Sequence, residues 1–472
     1  MTTDTEKITV TDSKGLFGSR KFYGGVLSLA LPIMLQQLIQ SLVSLIDNFM
    51  VSGLGDISMS GVNVAGQVLF VFIVYLNAIS MAGGIFMTQF FGAKDVDGMK
   101  QAFRFKLVMG LAALIPFMLV CLAFPRQVLS LMLIGNTEAD AILDEAVKYI
   151  NVIALLGLPQ TISFCVASSL RDMGQVKTPL YVSIAATLTN TLFNWLLIFG
   201  NLGFPKLGVK GAAAATVIAR TLEFAIFVVI YIKQKPAFAV KLAEAFRIDG
   251  KLFVKILKKG SLVLFCEMIW VLSETVTTAI YNGRGGADVV SGMASSFAIA
   301  NLFFVAFGGI YSSTGVVLGK TLGEGDLDKA RRQKTWLLSG SAVFGVFMSF
   351  FGFATTLIVP VVFGKLSNSA IDICRSMVIL MSFFMPVWVY LNAQHAVARA
   401  GGDTAMGAYA DSFITIVVML PMLFLLGFYT NIGPVTMYLG VKLLDLVKLV
   451  VFHFWLKKER WLKNLTVKGE EG

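Results

Sequence analysis

The chain has 472 residues, of which 56% are hydrophobic and only 14% are charged. Because soluble domains carry about 25% charged residues, this composition excludes a protein whose surface is mostly solvated. The formal charge of +11 is compatible with a nucleic-acid partner, but the positions of the basic residues argue against one.

Residues 1–23 are polar and basic and have no apolar core of their own, so we expect no cleavable signal peptide. The rest of the chain contains apolar runs of about 20 residues, the length that a helix needs to cross a membrane. These runs predict an all-α membrane protein with twelve transmembrane helices. The predicted spans are 26–50, 62–90, 107–124, 149–170, 180–200, 212–232, 261–281, 293–319, 336–362, 376–398, 409–428 and 435–456.

The basic residues lie mostly on one side of the predicted membrane. Of the 39 Lys and Arg residues, 29 fall on the side of the two termini, 7 fall on the opposite side and 3 fall inside spans. Cytoplasmic loops of membrane proteins carry such an excess of basic residues. We therefore expect a multi-pass protein of the plasma or inner membrane with both termini in the cytoplasm, and no nucleic-acid partner.

The two halves of the chain repeat each other. The matched pairs are Gly92 with Gly323, Asp95 with Asp326 and Asp97 with Asp328 at a shift of 231, and Arg171 with Arg399 and Gly174 with Gly402 at a shift of about 228. Since each half has six spans, both halves enter from the same side, which predicts two six-helix lobes related by a pseudo-two-fold axis along the membrane normal, with a substrate site between them. The predicted organisation is a tail (1–23), an N-terminal lobe (24–232), a basic linker (233–259), a C-terminal lobe (260–456) and a second tail (457–472).

The loops that follow spans 4 and 10, residues 170–179 and 398–404, resemble the paired loop motifs of the multidrug and toxic-compound extrusion (MATE) family. Their shared residues are Arg171, Gly174, Arg399 and Gly402. Further similarity to this family lies at 31–32, 43–47, 91–94 and 208–213. The resemblance implies a V-shaped pair of lobes that exports organic, often cationic, compounds in exchange for sodium ions or protons.

Four polar side chains in the first half are predicted to lie at a similar depth. Asp47 falls about four residues, or roughly 6 Å, inside the outer end of span 1, and Asn194 and Thr216 fall at matching depths in spans 5 and 6. Asn190 shares the face of Asn194 one turn away. The four oxygen-bearing groups suit a sodium ion, or a proton carried by Asp47. Two alternatives are a helix-end carboxylate that reaches water at Asp47, and hydrogen bonding between helices by the asparagines.

The resemblance points to the same four positions as an ion site, with one departure. Relatives often carry Asp at the position of Asn194, so this chain has one titratable group fewer. In the second half, Glu267 matches a glutamate that relatives use for ion or substrate binding. Its expected partner in span 10 is Asn392 here rather than Asp.

Glu274 and Trp270 extend this candidate second-lobe site, since Glu274 lies seven residues after Glu267 and so near the same helix face. Structural glutamates are the alternative for both acids. In span 6, Arg220 and Glu223 are spaced to pair along one helix, and so are the ionisable residues of span 12, which are Lys442, Asp445 and Lys448.

No motif indicates an enzyme or a bound cofactor. The four cysteines are far apart and have no metal-binding spacing, and nothing near His395 or His453 forms a catalytic set. We expect a monomer that works on small organic substrates in the lipid bilayer, with Na⁺ or H⁺ as the coupling ion and no other cofactor. A flippase for lipid-linked saccharides is the main alternative, but it requires more Arg and Lys in the spans for phosphate.

Overall fold

The computed structural model describes residues 15–134, 138–364 and 366–467. All regular structure in these ranges is helical, as the composition predicts. The beginning of the predicted N-terminal tail, the end of the C-terminal tail and Lys365 lie outside the described residues.

Twelve helical segments, labelled α1 to α12, follow one another along the chain. Their bounds are α1 Arg20–Ser52, α2 Asp56–Gly92, α3 Val96–Ala123, α4 Ala139–Asp172, α5 Lys177–Phe199, α6 Val209–Gln234, α7 Gly250–Asn282, α8 Ala287–Gly323, α9 Leu327–Thr355, α10 Asn368–Ala400, α11 Met406–Tyr429, and α12, which has two parts, Pro434–Lys442 and Leu444–Lys457. Eleven of these segments in the described residues are single helices long and apolar enough to span a membrane.

The twelfth predicted span is interrupted. It consists of two shorter helices that meet at Leu443, between Lys442 and Asp445. Most of the other helices extend beyond their predicted spans, because polar turns at the membrane edge continue the helix. The clearest case is α7, which begins at Gly250 and so makes the last part of the predicted linker helical.

Equivalent helix starts carry the same cap in both halves. Asp95 precedes α3 and accepts a hydrogen bond from the backbone N–H of Gly98 at 2.9 Å. Asp326 precedes α9 and accepts one from Lys329 at 2.9 Å. An aspartate in this position satisfies one of the N–H groups that a helix start leaves unpaired. Both pairs are related by the shift of 231 found in the sequence.

The paired loop motifs also have matching backbone structure. The backbone N–H of Gly174 donates to the carbonyl of Arg171 at 2.8 Å, and that of Gly402 donates to Arg399 at 2.9 Å. Both glycines have positive φ, +78° and +74°, the conformation that ends a helix at low cost. The placement of the arginines in loops is wrong, however. Both lie in the last turn of a helix, α4 and α10, because the glycine three residues later sets the helix end.

The described residues form two compact units. The N-unit consists of the described residues within Leu35–Met87 and Asp95–Leu257, and the C-unit of those within Met1–Met34, Thr88–Lys94 and Lys258–Gly472. The units are defined by contacts between residues and not by order in the sequence, so α1 and α2 each contribute residues to both units. The predicted lobe boundaries stay a prediction.

The N-unit has an apolar core built from α2 to α6, in which Phe72 and Phe117 stack with ring centroids 4.3 Å apart. A buried ion pair lies at one end of this unit. The ammonium group of Lys106 is 2.5 Å from the carboxylate of Asp172 and also contacts the hydroxyl of Ser168. Lys106 is fully buried, and its side chain passes over Gly83, where any β-carbon would lie 2.6 Å from it.

In the C-unit, α10 packs against α8 and α9, and the end of α2 packs against the end of α8 through two glycines. A β-carbon on Gly92 would lie 1.9 Å from the carbonyl oxygen of Lys320. One on Gly323 would lie 1.9 Å from the carbonyl oxygen of Gln89. Both pairs are related by the shift of 231, so the two chain segments approach each other reciprocally, backbone against backbone.

The C-terminal segment after α12, residues 458–467, is part of the C-unit. Trp461 is buried, and its carbonyl packs so closely on Gly401 that a β-carbon there would overlap it. The side chain of Gln89 accepts a hydrogen bond from the backbone N–H of Leu465 at 2.6 Å and donates to the carbonyl of Ala400 at 2.8 Å. One buried amide therefore joins α2, α10 and the C-terminal segment.

Candidate ion and substrate sites

The structure brings the four polar residues of the first half together. Asn194 donates from Nδ2 to the Oδ1 atom of Asp47 at 2.6 Å, and its amide lies 3.3 Å from the amide of Asn190. Asn190 lies 3.4 Å from the hydroxyl of Thr216. Both asparagines are buried and Asp47 is half-buried. Three helices, α1, α5 and α6, therefore place a carboxylate against two amides and a hydroxyl.

The amide of Asn190 satisfies its neighbours best when its nitrogen faces Asp47, donating at 2.9 and 3.0 Å to the two carboxylate oxygens. Both asparagines then stabilise the charged form of Asp47. The Oδ1 atom of Asn194 has no hydrogen-bond partner among the described residues, although it is buried. A buried acceptor without a partner is costly, so this oxygen is suited to bind a cation that prefers oxygen ligands.

Tyr149 joins this cluster and was missed from the sequence. It lies on α4 and is buried, close enough to Thr216 and Asp47 for both side chains to influence it electrostatically. No spacing in α4 singles out one tyrosine among the apolar residues around it, so only the packing could show it. The expected pair between Arg220 and Glu223 is formed at 2.6 Å on the same unit.

In the second half, Glu267 has a partner that was not predicted. Arg399, from the last turn of α10, donates to the Oε1 atom of Glu267 at 3.3 Å from each of two nitrogens. It also donates to the hydroxyl of Tyr311 at 3.1 Å. The loop-motif arginine of this half therefore neutralises the candidate acid.

Asn392, the expected partner of Glu267, makes no hydrogen bond with it in the described residues, and its Oδ1 atom is buried without a partner. It lies on α10, two turns before Arg399, which contacts Glu267 instead. Glu274 and Trp270 line a separate cavity. Trp270 is 53% exposed within the protein, and Glu274 is half-buried.

That cavity, of about 440 Å³, lies wholly within the C-unit, between α7, α8, α10, α11 and α12. Seven aromatic side chains form much of its wall, which are Trp270, Tyr281, Phe297, Phe304, Phe307, Trp388 and Tyr438.

The pairing expected along span 12 is wrong. Lys448 binds Asp411 of α11 at 2.7 Å, and Asp445 accepts a hydrogen bond from the indole of Trp388 at 2.8 Å. Asp445 and Lys448 lie on the same part of α12, but each side chain contacts a neighbouring helix instead of the other.

No group of three or more His, Cys, Asp and Glu side chains in the described part of the chain is placed to hold a metal ion. His395 lies 3.6 Å from Asp411, beside the Lys448 pair. The ionisable groups inside the helices thus form small clusters with amides, hydroxyls and aromatic rings. Long apolar helices that hold such groups inside the bundle are typical of membrane proteins that bind or move ions and substrates.

The comparison with family models supports this class and names the family. The MatE family model matches residues 32–196 and 263–425, one match in each half, and the chain belongs to that family. Members of this family are transporters. The two matched regions also agree with the repeat found in the sequence.

Individual proteins are similar over nearly the whole chain. The uncharacterized transporter YisQ of Bacillus subtilis is 24% identical over 93% of this chain and 94% of its own length. The probable multidrug resistance protein NorM of Photorhabdus laumondii is 26% identical over 85% of this chain and 87% of its own. A crystal structure of MATE in the straight conformation is 19% identical and covers 95% of this chain and 99% of that one, with a TM-score of 0.81, which shows the same two-lobed fold.

Proposed function

We propose that this protein is a secondary-active antiporter that exports small organic, often cationic, compounds in exchange for Na⁺ or H⁺ by alternating access. The observation that carries the proposal is the cluster around Asp47. A carboxylate among apolar helices is costly, and such groups persist where they bind an ion or a substrate. Here two buried amides of α5 contact it, and a hydroxyl of α6 contacts one of these amides.

The cluster suits either coupling ion. A sodium ion takes oxygen ligands, and the candidates are the Asp47 carboxylate, the amide oxygens of Asn190 and Asn194, and the hydroxyl of Thr216. The unpartnered Oδ1 atom of Asn194 supports this choice. A proton would instead neutralise Asp47, and the asparagines would then lose an acceptor of their hydrogen bonds. Either event changes the contacts between α1, α5 and α6.

Asp47 is the better candidate than Glu267 for the coupling step. Arg399 already compensates the charge of Glu267 at 3.3 Å, so a coupling ion would have to compete with a fixed guanidinium. Asp47 is contacted by neutral amides rather than by a basic group within 4 Å in the described part of the chain. We therefore assign coupling to the Asp47 cluster and a structural pair to Glu267.

The proposal places the protein in the plasma or inner membrane, with both termini in the cytoplasm. The side of the termini carries 29 of the 39 basic residues and the opposite side carries 7, which supports this orientation. We further propose that it acts as a monomer, since each candidate site is built from side chains of one chain.

The test uses purified protein in liposomes, loaded with a cationic dye and given either a sodium gradient or a pH gradient. We expect one of the two gradients to drive dye movement, and the active gradient identifies the coupling ion. The Asp47→Asn variant should lower gradient-driven transport at least about tenfold, because the neutral amide can neither take up a proton nor attract a cation.

The matched control is Asp144→Asn. Asp144 is also a helical aspartate of the N-unit, but it is 56% exposed and paired with Arg126 at 2.8 Å. This variant should transport like the unaltered protein. Normal gradient-driven transport by Asp47→Asn, with the dye and the gradient that drive the unaltered protein, would remove Asp47 from the mechanism.

A further inference from the structure

The aromatic cavity of the C-unit contains a lysine that no carboxylate neutralises directly. The ammonium group of Lys442 lies over the rings of Trp388 and Tyr438, 5.5 and 5.4 Å from their centroids. In the described residues it has no ion pair within 4 Å. Lys448 lies in the second part of α12 and lines the same cavity, but it forms an ion pair with Asp411. Lys442 is therefore held in place by aromatic faces and keeps its charge available to the cavity.

An uncompensated carboxylate faces the same cavity. Glu274 is half-buried and, among the described residues, takes part in no hydrogen bond and no ion pair within 4 Å. Two buried hydroxyls nearby, Thr277 Oγ1 and Tyr281 Oη, also have no hydrogen-bond partner in the part of the chain that the structure describes. Asp445 is another carboxylate that lines the cavity, but it already accepts a hydrogen bond from Trp388. The wall thus presents one positive and one negative group that interact through the cavity but, among the described residues, have no direct ion pair.

The arrangement favours a ligand that carries both signs of charge. A simple cation near Glu274 would share the cavity with the like charge of Lys442, and a simple anion near Lys442 would share it with Glu274. Closing the cavity over either one would leave a desolvated charge without a partner, which is costly. A zwitterion satisfies both groups, and the aromatic wall suits a flat ring system.

We propose that this cavity binds aromatic zwitterions, with the ligand carboxylate at Lys442, its cationic nitrogen at Glu274, and its rings against Trp388 and Tyr438. The assignment rests on the proposed export function and narrows its substrate class. It also gives the C-unit a role in substrate binding that differs from ion coupling at Asp47.

The test measures binding at equilibrium, without any gradient, to the purified full-length protein in lipid nanodiscs. Three dyes share one xanthene ring system. They are a rhodamine with free amino groups and a free carboxylate, which is a zwitterion, its methyl ester, which is a cation, and fluorescein, which is an anion. Fluorescence anisotropy gives each Kd. We expect the zwitterionic rhodamine to bind most tightly.

Lys442→Gln should weaken the zwitterionic rhodamine about tenfold or more and leave its methyl ester within about twofold, since a charge-assisted hydrogen bond is lost only for the carboxylate. Lys442→Arg should keep the preference for the zwitterion. Glu274→Gln should weaken both rhodamines and favour fluorescein. The matched control is Lys457→Gln, which removes a lysine that lies over Phe454, outside the cavity.

Equal binding of the zwitterion and its ester to the unaltered protein would overturn the proposal. So would an unchanged ratio of the two affinities in Lys442→Gln. Thermal unfolding of each variant shows whether it is folded, and binding of the ester provides the same check at the cavity. If the charge preference is present but no gradient drives transport in liposomes, the proposed antiport fails while the cavity assignment stands.

Discussion

Replacing Gly323 by alanine should destabilise the C-unit, although alanine is the better helix former. A β-carbon at this position would lie 1.9 Å from the carbonyl oxygen of Gln89, and ordinary contact begins at 3.4 Å. The obstacle is backbone, which cannot rotate away, so α2 and α8 must separate. Overpacking of this kind costs about 1–3 kcal/mol, whereas exchanging glycine for alanine inside a helix gains at most about 1 kcal/mol.

The matched control is Gly315→Ala in the same helix, where a β-carbon meets no atom within 4 Å. That variant should gain the helix propensity without the clash. Because both variants gain the helix propensity, they should differ by the cost of the clash, about 1–3 kcal/mol, which corresponds to about 2–12 °C in Tm for a unit of this size. Thermal unfolding of both purified variants in the same detergent measures the difference.

A Gly323→Ala variant that unfolds at the same temperature as Gly315→Ala would refute this reasoning, because it would mean that α2 and α8 do not approach as closely as described. Gly92→Ala should behave like Gly323→Ala, since its β-carbon would lie 1.9 Å from the carbonyl of Lys320. A clear difference between Gly92→Ala and Gly323→Ala would show that the contact is not reciprocal.

Two ion pairs should differ strongly in what they contribute to stability: a buried pair should contribute much and an exposed pair little. Asp172→Asn leaves the buried ammonium group of Lys106 without its partner and should destabilise the N-unit by about 3–5 kcal/mol, while the double variant with Lys106→Met should recover most of the loss; thermal unfolding checks both. Arg331 holds the pKa of Glu459 below its ordinary value of 4.5 by a hydrogen bond, so their contribution to stability is complete above that pH and is lost as the pH falls through the lowered pKa. Because both groups are well exposed, Glu459→Gln should change Tm only slightly at neutral pH and should flatten its fall in acid.

The helical fold could be predicted from the sequence because two lengths limit it. The rise per residue of a helix and the thickness of the bilayer limit where spans can lie, and they also placed Asp47 and Asn194 at one depth. Matched glycines and aspartates revealed the repeat, since their caps and close approaches recur at the same spacing. The break at Leu443 was not visible, because neither proline nor glycine lies next to it.

Contacts that depend on helix rotation could not be predicted. The sequence predicts a loop at Arg399. In the structure its helix continues to the glycine that follows, and this continuation lets Arg399 contact Glu267. The pairing of Lys448 with Asp411 joins two helices, and a pattern within one helix cannot reveal it. Tyr149 belongs to the Asp47 cluster only through packing. Depth along the membrane normal can thus be read from sequence, whereas direction around each helix axis requires the structure.

The buried amide of Gln89 has a consequence for how the molecule is made. Its side chain, near the start of the chain, binds the backbone of Leu465, almost at the end. This contact cannot form while the last residues are still inside the ribosome. The end of α2, inserted earlier in synthesis, therefore stays without this contact until Leu465 has left the ribosome, so the contact belongs to a late step of folding.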